Sequence, residues 1–162
     1  MHHVSKLVVM MSLALNTSMA LADKSKGAEN LLADRPGQAK IRVDESTGFA
    51  RFIRLTPNSQ LGPVKAQTRS SSSSNSRVVD TSATSISFLR DYGSAFGIQD
   101  FDKELSLVGT SRDKLGSEHS IFKQHYKGLP VFAGELRTHF DANGEMIAVN
   151  GKFVSDIKVV TK

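Results

Sequence analysis

Residues 119–151, HSIFKQHYKGLPVFAGELRTHFDANGEMIAVNG, read as three consecutive strands separated by turn signals. From His119 to Tyr126, the side chains of Phe122, Gln124 and Tyr126 alternate with those of Ile121, Lys123 and His125, the period of a strand. Gly128 and Pro130 interrupt the run. Leu129–Phe140 and Glu145–Asn150 then flank Asn143-Gly144, the strongest two-residue hairpin signal in a sequence. A two-residue turn there pairs Ala142 with Glu145, Phe140 with Ile147 and Thr138 with Val149. Leu136, Thr138 and Phe140 would then share a face with Ile147 and Val149, and Arg137 and His139 would share the other with Met146 and Ala148. One face is apolar and suited to cover by a helix. The other is mixed, and open to water or a partner.

Upstream, Leu105–Thr110 reads as a short strand and Asp113–Glu118 as a turn. Ser82–Phe96 is expected to be a helix, because Ile86, Leu89, Tyr92 and Phe96 recur at helical spacing and Gly97 can take the left-handed conformation that stops it. Gly93 weakens its interior by about 1 kcal/mol relative to Ala. Arg69–Ser76, RSSSSSNS, is a polar low-complexity linker that buries too little apolar area to offset its ordering entropy. Lys40–Val43, the polar stretch Asp44–Gly48 and Phe49–Leu55 read as an N-terminal β-hairpin, followed by loop from Pro57 to Gln67. Asp23–Ala39 is polar, contains Gly27, Pro36 and Gly37, and reads as a flexible leader.

The chain has 162 residues, enough for one modest domain, with hydrophobic and charged shares of 39% and 23% that are ordinary for a globular protein. Met1–Ala22 has the order of a secretory signal peptide: basic Lys6, apolar Leu7–Leu15, then Ala20-Leu21-Ala22 before Asp23. The apolar run falls short of the roughly 20 residues that cross a bilayer, so no integral membrane association is expected and the product should be secreted or periplasmic. There is no cysteine, so packing alone must hold the core. Removing the signal, which carries Lys6 and no acid, leaves 20 basic and 16 acidic side chains and a net charge of +4. The basic residues look scattered along the sequence, with no aromatic-plus-basic motif to suggest nucleic acid.

Catalytic chemistry finds no foothold. There is no His-Glu-x-x-His to bind zinc and activate water, no Gly-x-Ser-x-Gly elbow and no phosphate-binding glycine loop. Of the five histidines, His2 and His3 would leave with the signal. His119 and His125 lie about 20 Å apart along a strand, too far to share a metal. His139 could approach either across the sheet, but no carboxylate cluster joins them, so surface or hydrogen-bonding roles are expected. Neither an enzyme, a cofactor nor a metal is expected.

His119, Gln124, Tyr126-x-Gly128-x-Pro130-Val131, Phe132, Gly134-Glu135, His139-x-Asp141, Gly144 and Val149-Asn150-Gly151 occur in that order. This pattern closely resembles the core of the fungalysin/thermolysin propeptide (FTP) domain, the pro-segment of secreted thermolysin-family zinc metalloprotease precursors. The helix with Phe88-Leu89, Tyr92 and Phe96-Gly97 and the lead-in Asp113-x-Leu115-Gly116 fit as well. The likeness spans Ser82–Val154, and more loosely the Lys40–Leu55 hairpin. Ile121 stands where many relatives carry Arg, and Lys123 where Gln is common. These departures bear on partner contacts at that edge rather than on the fold.

The resemblance implies an α+β fold, one helix packed on a bent antiparallel sheet of cystatin/PepSY-like kind, with the N-terminal hairpin and a disordered leader. The expected division is signal peptide 1–22, leader 23–39, hairpin region 40–67, Ser-rich linker 68–80 and FTP-like domain 81–160. It also implies a non-catalytic module that assists folding of a cognate thermolysin-like zinc metalloprotease and inhibits it, in cis or in trans. Tyr126, Lys127, Phe132, Arg137 and His139 are the candidate partner-facing residues, being turn residues or lying away from the apolar face. The remaining motif positions have structural readings. Gly128 and Pro130 would set a bend, Gly134 a bulge or close approach, and Asn150-Gly151 a tight turn; His119, Gln124, Val131 and Glu135 complete the set. In precursors of that family a PepSY-type pro-domain and the peptidase follow. Here a strand-like stretch, Phe153–Val160, precedes Lys162, and two accounts fit: a partial precursor, or a free-standing secreted interaction module.

Overall fold

Alternating burial along six segments produces one antiparallel sheet. The computed structural model describes residues 26–56 and 80–158. The expected signal segment, the loop after Thr56 and all of the Ser-rich linker except Asp80 fall outside the described residues. The strands are β1 (Ala39–Val43), β2 (Ala50–Leu55), β3 (Leu105–Arg112), β4 (Glu118–Tyr126), β5 (Leu129–Phe140) and β6 (Met146–Lys152), ordered β1-β2-β6-β5-β4-β3. Strands β3 to β6 form a continuous meander. The β1–β2 hairpin joins it through three residue pairs, Phe52↔Asn150, Ile53↔Val149 and Arg54↔Ala148. Helix α1 covers 26–34, α2 is Thr81–Tyr92 continuing as a 3-10 turn over Gly93–Phe96, and α3 is the single turn Phe101–Glu104. The fold is α+β, as expected.

The helices cover one face. Phe122, Leu136, Phe140, Val149 and Ile53 from the sheet meet Phe88, Leu89 and Phe96 in one buried cluster, each large side chain stabilising by roughly 1.5–3 kcal/mol. Within α2 the inward stripe differs from expectation. Thr81, Thr84 and Ser85 are buried, while Ile86 is only partly so. The reason is a hydroxyl contact: Ser85 Oγ donates to the Thr81 carbonyl at 2.7 Å and lies 2.7 Å from Thr138 Oγ1 on β5. With its own hydrogen committed, Ser85 receives that of Thr138, so small polar residues occupy the place of closest approach. The Asp80 carboxylate caps the helix by accepting from the Ala83 amide at 3.0 Å, and Gly97, at φ 98°, ends it in the left-handed conformation anticipated.

The polar segment expected to be a flexible leader is ordered from residue 26. Residues 26–34 are helical and Leu31 is fully buried in the core. Its composition concealed this, because one leucine and Ala28, three residues apart, suffice to seat a short helix against α2. Gly27 packs so closely on Ser94 and Ala95 that a Cβ there would overlap them, and the Tyr92 hydroxyl donates to Asp34 at 2.8 Å.

The β5–β6 connection departs from the two-residue turn. The Asp141 amide donates to the Glu145 carbonyl at 2.9 Å and Gly144 to the Asp141 carbonyl at 3.0 Å, with Gly144 at φ 78°. Three residues therefore form the loop. Thr138 pairs with Val149 as expected, but Phe140 pairs with Met146 and Ile147 is the extra residue of a bulge. One added residue reverses the alternation, so Met146 is buried and Ile147 is not.

Asn150-Gly151 is no turn but part of β6. Gly151 has φ 141°, and a Cβ there would strike the Glu135 carbonyl oxygen and lie 2.9 Å from Leu136 Cα. The stretch expected to be strand-like after Phe153 is irregular through residue 158, because a side chain takes the place of a neighbouring strand. Gln124 Nε2 donates to the Val154 carbonyl at 2.7 Å, and the Val154 amide donates back to Gln124 Oε1 at 2.8 Å. Gly134 makes room for this clasp; a Cβ there would fall 2.5 Å from Gln124 Oε1.

Three outcomes follow from this architecture. Gly151→Ala should cost about 3 kcal/mol or more in urea unfolding, since neither the conformation nor the space suits a methyl group. Gln124→Ala should cost about 1–3 kcal/mol and raise the hydrogen-exchange rate of the Val154 amide, with β3–β6 otherwise protected. Two turn carboxylates set the acid limb. Hydrogen bonds from the Ser46 hydroxyl and amide, then from Arg51, hold Asp44 down to about 2. The Ser117 amide, followed by that of Leu115, holds Asp113 below the usual range. Both stay ionised in the folded chain where the unfolded chain takes up protons. Their contribution is therefore complete above about pH 4 and is lost as pH falls toward their folded values. Thermal midpoints should drop between about pH 4 and pH 2, and Asp44→Asn should flatten part of that drop.

Candidate functional site

At the end of the β4–β5 hairpin the chain turns through Lys127 (φ 51°) and Gly128 (φ 80°), the two left-handed residues of a tight hairpin turn. Tyr126 pairs with Leu129 and His125 with Pro130, and Lys127 Nζ lies 5.4 Å from the centre of the Tyr126 ring. The next β4–β5 pair is Lys123↔Glu135, so Val131, Phe132, Ala133 and Gly134 together stand opposite Gln124 alone. The surplus residues leave the sheet as a wide bulge. Ala133 adopts φ 59° there, a conformation costing on the order of 1–3 kcal/mol outside glycine. Phe132 is 97% exposed. Beside it lies an open groove of about 660 Å³ lined by Val108, His125, Val131 and Phe132, with Ser106 and Lys123 at its margin. Leu129 and Val108 are exposed as well. An apolar surface held out on a strained loop is the kind of feature that marks an interaction site.

Arg137 and His139 lie elsewhere, on the sheet face opposite the helices. Arg137 Nε donates to Glu135 Oε1 at 2.6 Å, and Glu135 also pairs with Lys123 across the strands. Those partners, Lys123 first and then Arg137, hold the Glu135 carboxyl below its usual range. His139 and His119 are directly paired on β5 and β4, with their Nδ1 atoms 2.8 Å apart. His139 Nε2 lies 2.9 Å from Asn150 Oδ1. His119, His139 and Asn150 thus form one continuous polar row across β4, β5 and β6. His119 Nε2 faces Asp113 Oδ2 at 3.7 Å.

The five candidate partner-facing residues thus fall into two regions, Tyr126, Lys127 and Phe132 at the hairpin end and Arg137 and His139 on the bare face. The other motif positions sit inside the architecture. Gln124, Gly134 and Gly151 form the close contacts described above; Gly128 and Pro130 shape the hairpin end, Val131 begins the bulge, and His119, Glu135 and Asn150 belong to the hydrogen-bonded rows of the bare face. Reasoning from sequence missed the Gln124–Val154 clasp. Its signal was present: an amide at an inward-facing strand position must find backbone partners.

A profile of the Fungalysin/Thermolysin Propeptide Motif matches residues 103–153. Thermolysin from Alicyclobacillus acidocaldarius subsp. acidocaldarius and thermolysin from Bacillus caldolyticus are each 33% identical to this chain over 55 residues. That aligned stretch is 34% of this chain and 10% of either thermolysin, so the chain spans about a tenth of the length of the curated relatives it matches. No solved structure is significantly similar to it. The matched segment begins within α3 and runs through β6 to Phe153, so the likeness to the propeptide motif covers the β3–β6 meander and not α2 or the β1–β2 hairpin.

Proposed function

We propose that the chain is a propeptide module of a thermolysin-like zinc metalloprotease precursor. It assists folding of the peptidase and inhibits it until the two separate. The observation that carries this reading is the Val131–Gly134 bulge inside the propeptide motif, which holds Phe132 out in solvent beside an apolar groove. An exposed aromatic on a pre-formed loop suits insertion into a peptidase cleft, since little ordering is left to accomplish on binding. Tyr126 and Lys127 would flank that insertion, and Arg137 and His139 would contact the partner from the bare face. By binding the native enzyme and not its unfolded chain, the module would favour folding by mass action. The Met1–Ala22 segment supports export with the precursor, and no helix among the described residues is long and apolar enough to cross a membrane.

Purified chain added to a thermolysin-like peptidase should inhibit peptide hydrolysis in a concentration-dependent manner. Phe132→Ala should weaken inhibition about tenfold, ~1.4 kcal/mol, without changing the unfolding midpoint, because the ring is almost wholly in solvent. Full hydrolysis with the chain in large excess would refute the reading.

A further inference from the structure

The residue pairing lays out the bare face in three rows across the strands. One runs Lys40, Arg54, Ala148, His139, His119. The second runs Arg42, Phe52, Asn150, Arg137, Ile121, and the third Lys152, Glu135, Lys123. Lys40, Arg42, Arg54, Lys123, Arg137 and Lys152 are all exposed, and Glu135 is the single carboxylate among them. Cations that look scattered in the sequence are gathered here, because β1, β2, β4, β5 and β6 all point them to the same side.

Of these six cations, Lys123 and Arg137 alone have an acidic partner among the described residues, and it is the same one. Lys40, Arg42, Arg54 and Lys152 form no ion pair among the described residues. Lys40 and Arg54 are direct cross-strand neighbours, and like charges placed opposite each other on a ladder are destabilising. No helix lies over this face among the described residues, and none of them pairs a carboxylate with Lys40 or Arg54. An incoming acidic surface would relieve the repulsion.

We propose that this face docks an acidic patch on a folded protein, the peptidase partner of the module. The inference rests on the propeptide reading above and adds the surface and the charge of what it meets. Two features favour a protein over a polyphosphate or lipid surface. Glu135 sits between Lys123 and Arg137 and would repel a uniform lattice of phosphates, whereas a protein surface can oppose it with a cation. Phe52, Ile121 and Ala148 are partly buried between the charges, giving a low apolar floor on which neighbouring side chains of a protein surface can rest. Opposite fields of this kind act mainly on encounter rate and orientation, which complements the Phe132 bulge at the end of the sheet.

The test uses the full chain against two probes, an immobilised thermolysin-like peptidase and poly-L-glutamate. Wild-type binding to both should weaken at least tenfold between 0.05 and about 0.5 M salt, as screening shortens the reach of exposed charges. Lys40→Glu with Arg54→Glu, and separately Lys152→Glu, should each weaken binding to both probes at least tenfold at low salt, while Lys114→Glu in the β3–β4 turn changes it less than twofold. Peptidase binding that ignores salt and the face variants, yet falls with Phe132→Ala, would overturn this inference and leave the propeptide reading standing. Poly-L-glutamate binding lost in the face variants, with no binding to the peptidase, would keep the acidic-partner surface and remove the propeptide reading. Tighter capture by duplex DNA or phosphatidylglycerol vesicles than by poly-L-glutamate, or no binding to either probe, would overturn it.

Discussion

Ser85 and Thr138 meet at 2.7 Å across the helix–sheet interface, both fully buried, and the depth of the core is set by that contact. Each hydroxyl is satisfied inside the protein, since Ser85 passes its hydrogen to the Thr81 carbonyl and accepts that of Thr138, so neither leaves an unpaired polar group in an apolar region. The short side chains let the helix axis approach β5, and only then do Phe88 and Leu89 reach Phe122, Leu136 and Phe140. A larger residue at either position would lift the helix and open that cluster. The same seating commits all the described helices to one side of the sheet and leaves the other side bare.

That asymmetry separates two kinds of demand on the sequence. Residues that maintain the fold face the helices or make backbone-level contacts, as Gln124, Gly134 and Gly151 do. Residues available to a partner lie on the bare face or at the β4–β5 end. The motif interleaves the two along one stretch of chain because a strand points successive side chains to opposite faces. Glu135 and Leu136 are neighbours in sequence, yet one organises cations in solvent and the other is sealed in the core. Phe132 escapes this alternation only because the bulge takes it out of the sheet.

The strands and their faces were largely legible, because alternation is a local property: β5 spans the expected residues, and β4 buries Phe122 and Gln124 as its pattern indicates. Gly97 stops the helical segment where a left-handed residue was needed. What escaped were features that depend on partners distant in the chain. Leu31 in a polar segment has no local reason to be buried, and its place in the core is supplied by α2. The inward role of Ser85 depends on Thr138, 53 residues away. Ile147 was assigned to the wrong face because Asn143-Gly144 suits both a two-residue turn and the three-residue loop that forms. Within the candidate site, the exposure of Phe132 requires counting residues between two cross-strand pairs, and the basic face requires the register of five strands at once.

The seam between β2 and β6 has a consequence for how the molecule assembles and comes apart. Strands β3 to β6 pair with sequence neighbours through short connections, so their closure costs little chain entropy and can proceed early. The β1–β2 hairpin attaches by three residue pairs that bridge almost a hundred residues, and its docking must await the completed meander. Order of assembly thereby mirrors position in the chain in reverse, with the N-terminal hairpin as the late-arriving flap. Of the strand pairings in the sheet, this seam has the fewest residue pairs, so the hairpin is the part of the sheet expected to open first.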